Sequence, residues 1–341
     1  MKKIDIQYND GATTIFFGQG ALMKIRENNG IRGRVFIISE EGVPRCYRDV
    51  VLRQFPDAII HLISSGEAGK SVVEYEACLL HLQKEEFTKK DTIIAVGGGV
   101  VGDLAGFVAS TYLRGMPWTQ VPTTLLAQVD SSIGGKTAIN LGGVKNAVGT
   151  FWQPKQVFID PTVLETLDKR QMTNGLVEIL KMGLLFDESL VEQIAQETKD
   201  LDAIIYRTVE LKKEIVCQDE KDSGIRHCLN FGHTLGHAIE SLELGNLLHG
   251  ECVGLGMLAM IENEKLTNRV RDILSSIQSP VTYDGLVLDV VDKIGKDKKR
   301  EHDRIKLVTL KEIGEWSIVD LSLDAAKEKI KEKSYEKHIG K

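Results

Sequence analysis

Short apolar runs alternate with helix-like segments through the first half of the chain, and this alternation constrains the fold more than any other feature. Five runs are short and apolar enough to be strands: 34–39, 58–63, 91–96, 119–121 and 156–159. Segments 44–54 and 71–86, which lie between the first three runs, have the periodicity of helices. Apolar strands that alternate with helices are typical of a parallel sheet covered on both faces. We therefore predict an α/β domain with a Rossmann-like parallel sheet.

From about Pro161 onwards, helical periodicity dominates. Six segments are predicted helices: 167–186, 190–197, 201–217, 229–242, 252–266 and 284–294. Segments 304–309 and 316–319 are predicted strands of one hairpin. We therefore predict two domains, an α/β domain of residues 1–160 and a mostly α-helical domain of residues 161–341, with a ligand site in the cleft between them.

Charge and composition exclude several classes of protein. The 341 residues include 43 Lys or Arg and 49 Asp or Glu, whereas a nucleic-acid-binding protein usually has a basic excess. No apolar run approaches the ~20 residues that span a bilayer, and the start, MKKIDIQYND, lacks the apolar segment of a secretory signal. The five cysteines form no CxxC motif, which favours reduced thiols. We therefore expect a cytoplasmic protein with no nucleic-acid partner and no membrane partner.

Glycines concentrate in one window, where 11 of the 56 residues 95–150 are glycine. The cluster 97–99 follows a predicted strand and opens a predicted helix, a place where free N–H groups favour a phosphate. Its spacing is not strict GxGxxG, and it lacks the Lys-Ser/Thr of a P-loop. These residues leave two alternatives open, a phosphate or dinucleotide site and a tight turn needed for packing. The polar loop 65–71 adds weight to the first, because ligands bind at the carboxyl ends of parallel strands.

Three histidines are spaced in a way that suggests a metal site. His233 and His237 are four residues apart, so on a helix both imidazoles lie on one face, and His249 follows in the sequence HGE. A catalytic zinc ion needs three protein ligands and an open position. Thr234 stands where the HExxH motif has its glutamate, which argues against a metalloprotease. The spacing alone also allows a pair of helix histidines that are satisfied by hydrogen bonds.

Glu178 and Lys181 lie three residues apart in an otherwise apolar segment. On an exposed helix such an ion pair contributes only ~0.2–0.5 kcal/mol. The apolar neighbours predict partial burial instead, and a buried carboxylate needs a partner or a metal. One carboxylate with histidines is a ligand set that suits zinc.

Basic residues accompany the same segments: Arg114, Lys136, Lys145, Lys181, Lys212, Lys213, Arg226, Lys298, Lys299 and Arg300. The run 298–300 alone is typical of a solvated surface. Lys136 and Lys145 differ, because they lie in the predicted glycine-bearing loops 133–137 and 142–146. Small, flexible neighbours around a cation favour an anion site.

Several longer motifs in the same order resemble one known family. They are PTTLLAQVDSSIGGKT at 122–137, Lys145-Asn146, Glu178-x-x-Lys181, LNFGHTxGH at 229–237, HGE at 249–251 and Asp297-Lys-Lys299. From about Val35 to Leu310, the chain resembles the 3-dehydroquinate synthases, which are sugar phosphate cyclases.

The resemblance implies a dehydroquinate synthase-like, two-domain enzyme that uses NAD and a divalent metal, zinc or alternatively cobalt. It implies a lyase of the shikimate pathway that converts the sugar acid phosphate 3-deoxy-D-arabino-heptulosonate 7-phosphate to 3-dehydroquinate and phosphate. The substrate would be oxidised transiently by NAD, lose phosphate, be reduced again and close its ring by an intramolecular aldol step. The family also implies a homodimer.

Residue by residue, the resemblance implies the metal ligands Glu178, His233 and His249, and it makes His237 an active-site residue rather than a ligand. The implied NAD contacts are Glu40, Glu67, Lys70, Gly97, Gly98, Gly99, Val100, Asp103, Thr123, Thr124, Lys136, Lys145, Thr166 and Leu167. The implied catalytic and substrate-binding residues are Arg114, which a neighbouring subunit would supply, and Asp130, Lys136, Lys145, Asn146, Lys181, Lys212, Arg226, Asn230, His237, Lys298 and Lys299.

The chain departs from the family pattern at Glu40, Asp168, Val177 and Asp222, and none of these changes removes a metal ligand or a key cation. Three alternatives are weighed against the family activity. Another sugar phosphate cyclase would show altered anion-binding positions. A polyol dehydrogenase of the iron-dependent alcohol dehydrogenase group would use an aspartate and three histidines, and a non-catalytic NAD-binding protein would have lost ligands or cations. The retained residues disfavour all three.

Overall fold

A computed structural model of the chain describes residues 1–9, 11–28, 30–31, 33–298, 304–336 and 339–340. Side chains are not described for residues 295–298. The predicted site residue Lys299 therefore lies outside the described residues, and the side chain of Lys298 lies outside the described side chains. By proximity of Cα atoms, one unit contains Met1–Leu167 and Lys212–Lys221, and a second contains Asp168–Leu211 and Asp222–Lys341. The functional division after residue 160 stays a prediction.

The first unit is built on a seven-stranded sheet and a separate hairpin. Its strands are β1 (Lys2–Tyr8), β2 (Gly11–Phe17), β3 (Val35–Glu40), β4 (Ile59–Ile63), β5 (Thr92–Gly97), β6 (Trp118–Pro122), β7 (Lys136–Leu141), β8 (Val144–Phe151) and β9 (Gln156–Ile159). The large sheet has the order β1-β2-β9-β6-β5-β3-β4, in which β1 alone is antiparallel to its neighbour. The predicted parallel sheet is confirmed, with one antiparallel edge strand that the sequence analysis did not predict.

Helices follow the strands of the first unit as predicted. They are α1 (Ile25–Asn28), α2 (Arg45–Gln54), α3 (Val72–Lys84) and α4 (Gly99–Thr111). Short 3-10 segments cover Ala21–Lys24, Gly66–Gly69, Tyr112–Arg114 and Pro161–Thr166, and a π-helical turn covers Ala127–Ser131. The core lies where the sheet meets α3 and α4, and Phe36, Ile38, Ile93 and Leu104 are buried in it.

The structure confirms the predicted loop 133–137 at residues 133–135 and corrects the rest, and it reduces the predicted loop 142–146 to a two-residue turn. β7 and β8 form an antiparallel hairpin, so Lys136 begins one strand, and Lys145 and Asn146 lie in the other. The connecting residues 142 and 143 are glycines with φ of 59° and 79°. Two residues with positive φ give a turn whose twist matches that of the flanking strands. Glycines 142 and 143 therefore form the tight turn of a hairpin, while Gly134 and Gly135, with φ of 102° and 66°, lie in the loop before β7.

The second unit is mostly helical, and its predicted character is confirmed. Its helices are α5 (Lys169–Phe186), α6 (Glu188–Ala195), α8 (His233–Glu243), α9 (His249–Met260), α10 (Glu264–Ser276), α11 (Val287–Lys298) and α12 (Leu323–Glu336), and α7 (Leu201–Gln218) carries residues of both units. A 3-10 segment covers Ile225–Asn230. β10 (Arg304–Glu312) and β11 (Glu315–Ser322) form the predicted hairpin.

Two predicted helices are each interrupted in the structure. The segment 229–242 breaks after Asn230, because Phe231 has a ψ of 124° and Gly232 has a φ of 77°, so α8 begins only at His233. The segment 252–266 breaks at Asn263, whose side-chain oxygen accepts a hydrogen bond from the Leu266 N–H at 3.2 Å and begins α10. An N-cap of this kind starts a new helix even where the apolar periodicity continues.

Along the described part of the chain, none of the helices combines the length and the apolar character needed to cross a membrane.

Candidate active site

The α5 helix buries a carboxylate among apolar residues. Glu178 is 1% exposed and Lys181, one turn further along, is also 1% exposed. The Lys181 Nζ lies 2.5 Å from Glu178 Oε2. Glu178 Oε1 has no hydrogen-bond partner among the described residues. The predicted pair is therefore buried, and one carboxylate oxygen is left over for another ligand.

Three imidazoles lie beside this carboxylate. The Nε2 atoms of His233, at the start of α8, and of His249, at the start of α9, are 3.8 Å and 3.6 Å from Glu178 Oε1. His237 is one turn along α8, and its ring centroid is 5.2 Å from that of His233 and 5.5 Å from that of His249. The structure thus brings together all four residues that the sequence analysis singled out for this cluster.

The separations fit a shared cation better than direct hydrogen bonds. Distances of 3.6 and 3.8 Å are too long for good hydrogen bonds. Two ligands of one tetrahedral zinc ion, each about 2.1 Å from it, lie about 3.4 Å apart. An unpaired buried carboxylate oxygen that faces two imidazole nitrogens is therefore a fitting donor set for a divalent metal. One ligand nitrogen from each of His233, His237 and His249 also lies within 4.8 Å of the others, so geometry alone does not separate His237 from Glu178 as the third ligand.

The surroundings shift the pKa values of Glu178, His233 and His249 in different directions. Burial alone would raise the pKa of Glu178, but the Lys181 ammonium and the two imidazoles hold it well below its usual value. Burial, together with Lys181, holds the pKa of His233 well below its usual value. For His249, burial lowers the pKa, but the nearby carboxylates of Glu178 and Glu240 outweigh this effect and raise the pKa to about 10. A ligating imidazole must be neutral, so metal binding releases any proton that His249 carries.

Second partners orient both candidate histidine ligands. The Nδ1 atom of His233 lies 3.0 Å from the Phe231 carbonyl oxygen, and that of His249 lies 3.4 Å from Glu240 Oε2. A histidine that donates from one nitrogen presents the other to a metal. Glu240 was not predicted; its place three residues after His237 on the same helix was the signal in the sequence.

The HGE sequence is explained by contacts at the start of α9. A Cβ on Gly250 would lie 2.3 Å from the Asn174 carbonyl oxygen, and the Gly250 N–H donates to Asn174 Oδ1 at 2.6 Å. Glu251 accepts two hydrogen bonds of 2.7 Å from the Arg170 guanidinium and one of 2.7 Å from the Leu248 N–H. These contacts fix the backbone on both sides of His249, at Leu248 and at Gly250.

In the first unit, the glycine cluster lies at the point where the sheet reverses its order. β3 and β5 are paired in parallel, and their chain connections lead in opposite directions. Gly98 precedes the first residue of α4, and Glu40, at the end of β3, accepts a hydrogen bond from the Gly66 N–H at 3.0 Å. Ligands of open α/β sheets bind at such a reversal, beside the helix N-terminus.

Space, rather than unusual dihedral angles, favours the glycines here, most strongly at Gly97, where a Cβ would lie 2.4 Å from Val101 Cγ2. None of the residues 97–99 has positive φ. A Cβ on Gly98 would lie 3.1 Å from Thr124 Cγ2, and one on Gly99 would lie 3.2 Å from Ser131 Oγ. The Thr123 N–H donates to the Gly97 carbonyl at 3.0 Å, which holds this turn against the end of β6.

A polar network surrounds Lys70, which is 4% exposed. Its Nζ donates to Asp103 Oδ2 at 2.6 Å and also to Asn146 Oδ1. Burial raises the pKa of Asp103, although Lys70 opposes that shift. Glu67, in the same loop as Lys70, accepts from Asn140 Nδ2 at 2.7 Å. Four predicted residues are therefore brought together, along with Asn140, which was not predicted.

The π-helical turn carries a second ion pair of the first unit. Lys212 Nζ, which belongs to α7, donates to Asp130 Oδ1 at 2.7 Å and to the Asp130 carbonyl oxygen. Lys212 is 4% exposed. π-Helical turns occur frequently at functional sites. This pair joins residues 82 positions apart, so no local pattern indicates it.

The other predicted residues occupy varied positions. Arg226 is buried in the 3-10 segment that Asn230 ends, and Lys136 and Lys145 are exposed on the hairpin. Arg114 is exposed, with φ of 65°. Val100 is partly buried in the first turn of α4. The Thr166 hydroxyl lies 3.1 Å from the Tyr47 hydroxyl, and Leu167 follows it.

Comparison with known proteins decides the family. Residues 60–174 match the model of the 3-dehydroquinate synthase N-terminal region, and residues 175–300 match that of the C-terminal region. The 3-dehydroquinate synthase of Latilactobacillus sakei is 41% identical over 319 residues, which cover 89% of this chain and 90% of that protein. The chain belongs to the 3-dehydroquinate synthase family.

Further relatives agree with this membership in the 3-dehydroquinate synthase family. The 3-dehydroquinate synthase of Methylacidiphilum infernorum is 47% identical over 264 residues, 74% of each chain. A crystal structure of 2-deoxy-scyllo-inosose synthase, complexed with carbaglucose-6-phosphate, NAD+ and Co2+, superposes with a TM-score of 0.86. The match covers 97% of this chain and all of that one at 24% identity, which shows a shared fold. The resemblance and the fold class predicted from the sequence are confirmed.

The structure accounts for one of the departures from the family pattern, Asp168, and places two others, Asp222 and Val177. Asp168 stands where the family usually has proline, and its Oδ1 accepts a hydrogen bond from the Gln171 N–H at 3.0 Å, which caps α5. Asp222 has φ of 57° and lies 3.4 Å from His227 Nδ1. Val177 is fully buried.

Proposed function

We propose that this chain is a phosphate-eliminating lyase that converts 3-deoxy-D-arabino-heptulosonate 7-phosphate to 3-dehydroquinate and phosphate, a reaction of the shikimate pathway. Family membership over nine-tenths of the chain supports this activity. The observation that carries it is the buried Glu178 carboxylate, whose unpaired oxygen faces two imidazole nitrogens. A protein that only binds NAD has no use for a buried donor set of this kind.

The proposed cofactors are NAD and a divalent metal, zinc in preference to cobalt. When bound, NAD would supply reversible hydride transfer at a substrate hydroxyl carbon, and the metal would supply polarisation of substrate oxygens. Glu178, His233 and His249 would hold the metal, and His237 would remain available to the substrate. The donor set of one carboxylate and two imidazoles suits zinc.

The proposed NAD site is formed by residues of the first unit. The glycine cluster 97–99 with Val100 would approach the cofactor phosphates, and Glu40 would accept hydrogen bonds from the ribose hydroxyls. The remaining contacts would come from Glu67, Lys70, Asp103, Thr123, Thr124, Lys136, Lys145, Thr166 and Leu167. The buried Lys70 ammonium supports this assignment, because a buried cation that shares acceptors on two segments is a fixed partner for an anion.

The substrate carries a carboxylate and a phosphate, and the chain supplies cations and amides for both. The proposed binding residues are Lys136, Lys145, Asn146, Arg226, Asn230, Lys298 and Lys299. Arginine and lysine bind these anions through charge-assisted hydrogen bonds. Arg114 would reach the substrate of a neighbouring subunit in a homodimer.

Two side chains are candidates for proton transfer to and from the substrate. Loss of phosphate breaks a carbon–oxygen bond and requires a proton to leave the adjacent carbon. Asp130, held by the Lys212 ammonium at 2.7 Å, and the exposed His237 imidazole are the proposed groups that move protons. Lys181 would orient substrate hydroxyls from its position beside Glu178.

The functional division of the chain into two domains and its location in the cell are also proposals. Residues 1–160 would bind NAD, and residues 161–341 would hold the metal and much of the substrate. A cytoplasmic location is supported by five free cysteines, because thiols stay reduced in that compartment.

Phosphate release tests this function. The purified protein, freed of metal by a chelator and of NAD by dialysis, is given the heptulosonate phosphate with NAD, with zinc, with both or with neither. We expect fast phosphate release only with both cofactors. Absence of phosphate under all four conditions would overturn the proposal. A glucose phosphate as substrate tests the related cyclases, and NADH formation from glycerol tests a polyol dehydrogenase.

A further inference from the structure

Asn140, near the end of β7, joins three segments of the first unit through its backbone and side chain. Its N–H donates to the Lys70 carbonyl oxygen at 2.7 Å. Its Nδ2 donates to Glu67 Oε1 at 2.7 Å, and its Oδ1 accepts from the Asn146 N–H at 2.8 Å. The side chain thus uses a donor and an acceptor at once, on two different segments.

The bonds of Asn140 close a ring with those of Lys70. Lys70 Nζ donates to Asn146 Oδ1 and, at 2.6 Å, to Asp103 Oδ2. Asn146 therefore receives Lys70 on its side chain and offers its backbone N–H to Asn140. Its φ is 53°, in the left-handed region that asparagine adopts more readily than most residues other than glycine.

Only an amide side chain of this length makes both bonds. An aspartate at position 140 would still accept from the Asn146 N–H, but it would place a carboxylate against the carboxylate of Glu67. Alanine would lose both bonds. The requirement at this position is therefore a matter of hydrogen-bond chemistry rather than of size alone.

We propose that Asn140 is a positioning residue of the NAD site, which holds the loop of Glu67 and Lys70 in register with the Asn146 backbone. The inference rests on the proposed function, since it assumes that this loop binds NAD. Asn140 acts through Glu67, Lys70 and Asn146 and has no assigned contact with the cofactor. No local sequence pattern indicates Asn140, because its three partners lie on segments distant from it or across a hairpin.

The test compares NAD affinity in Asn140→Asp with that of the unmodified chain, measured by calorimetry without substrate. We expect the dissociation constant to rise about tenfold or more, because the Glu67 carboxylate loses its donor and meets a like charge at position 140. Zinc affinity, which belongs to residues of the second unit, should stay within twofold. Asn28→Asp is the matched control: its Nδ2 donates to the Lys24 carbonyl at 2.8 Å on the surface of the same unit, and NAD affinity should not change.

A second variant tests the bond itself. In Asn140→Asp with Glu67→Gln, donor and acceptor are exchanged, so the hydrogen bond can form again. We expect this double variant to bind NAD at least threefold more tightly than the product of the two single effects. An unchanged NAD affinity in Asn140→Asp, an equal loss of zinc affinity, or strictly multiplicative effects would each overturn the inference.

The outcome is separable from failure of the proposed function. An unmodified chain that binds NAD but releases no phosphate would overturn the lyase activity, and the comparison of NAD affinities would still decide the role of Asn140. An unmodified chain that binds no NAD would overturn the inference on Asn140 as well.

Discussion

At the scale of single residues, Glu178 is the side chain on which the account depends. It is buried in an apolar helix, where a carboxylate is costly unless it is paired. Lys181 compensates one oxygen, and the other faces His233 and His249. The spacing of His233 and His237 alone predicts a different pair of ligands, so the choice between Glu178 and His237 needs a direct test.

We expect Glu178→Gln and His249→Ala each to lower zinc affinity by about 100-fold or more, since removing a ligand should exceed the 10–100-fold effect of losing an outer partner. His237→Ala should keep zinc affinity within about tenfold and lose turnover instead. Competition with a chelator measures the affinities, and phosphate release measures turnover. Tight stoichiometric zinc in Glu178→Gln, with loss of zinc in His237→Ala, would transfer the third ligand to His237.

Glu240→Gln should weaken zinc binding by a smaller factor, about tenfold, because it keeps the shape of the side chain and removes the charge that orients His249. The same chelator competition measures it. Glu243→Gln, on the next turn of α8, is the control, and its zinc affinity should match that of the unmodified chain. Equal effects of the two substitutions would contradict an orienting role for Glu240.

The cysteines give a prediction about pH. Burial, with a smaller contribution from Glu74, raises the pKa of the Cys78 thiol to about 12. At pH 8 only about one Cys78 in ten thousand is then a thiolate, and its reactivity rises only as the pH approaches 12. We expect iodoacetamide at pH 8 to label the exposed Cys46 and Cys217 and to spare Cys78. Mass spectrometry of the peptides measures this; labelling of Cys78 in the native protein as fast as in guanidinium chloride would contradict it.

At the scale of elements, the starts of helices position the chemistry. α4 begins at the glycine cluster, α8 begins with His233, and α9 begins with His249. Each start is fixed by a contact that is specific to its residues. For α9 that contact is the close approach of Gly250 to Asn174, together with the Arg170–Glu251 pair.

Gly250→Ala should therefore disturb both stability and the metal site. Its Cβ would meet the Asn174 carbonyl oxygen at 2.3 Å, and relief of that clash moves the start of α9. We expect a loss of about 1–3 kcal/mol in the free energy of unfolding and weaker zinc binding. Denaturant unfolding and chelator competition measure the two effects.

Gly254→Ala, one turn along α9, is the matched control. Its Cβ would lie 3.3 Å from Leu274 Cδ2, the end of a flexible side chain, and alanine favours a helix over glycine by up to about 1 kcal/mol. Its stability and zinc affinity should stay close to those of the unmodified chain. A Gly250→Ala variant with the same behaviour would contradict the packing argument.

The elements also show which parts of the fold a sequence can predict. The buried strands β3 and β5, the edge strand β4 and the hairpin of β10 and β11 have clear apolar patterns, and the prediction found them. The breaks at Gly232 and Asn263 depend on one backbone angle and one cap, which apolar periodicity does not detect. The strands β1, β2, β7 and β8 were missed, although Ile4 and Ile6 of β1 show the alternating burial of an edge strand.

The residues of the candidate site also fall into those that the sequence predicts and those that it does not. The metal cluster was within reach of the sequence because its members lie in short motifs that resemble a family. The Asp130–Lys212 pair and the Asn140 bonds to Glu67 and Asn146 were not, because each joins segments that only the fold brings together. Local pattern predicts which residues carry chemistry, and tertiary structure decides which residues hold them in place.

At the scale of the whole molecule, the chain distributes two kinds of chemistry over two units. The first has the sheet reversal, the glycine cluster and the Lys70 network, and the second has the buried carboxylate with its histidines. The net charge of −6 is an average that hides the cations needed for a substrate with a carboxylate and a phosphate. The proposed family reaction would use both sets of residues. It causes no net oxidation or reduction of the substrate.

The stoichiometry of phosphate to NADH tests that central claim most directly. The chain is incubated with zinc, NAD in an amount equal to the protein, and a large excess of the heptulosonate phosphate. Phosphate and absorbance at 340 nm are then followed together. We expect many phosphates released per NAD, with no net accumulation of NADH. NADH that rises in step with product, or phosphate release that stops after one turnover per NAD, would contradict it.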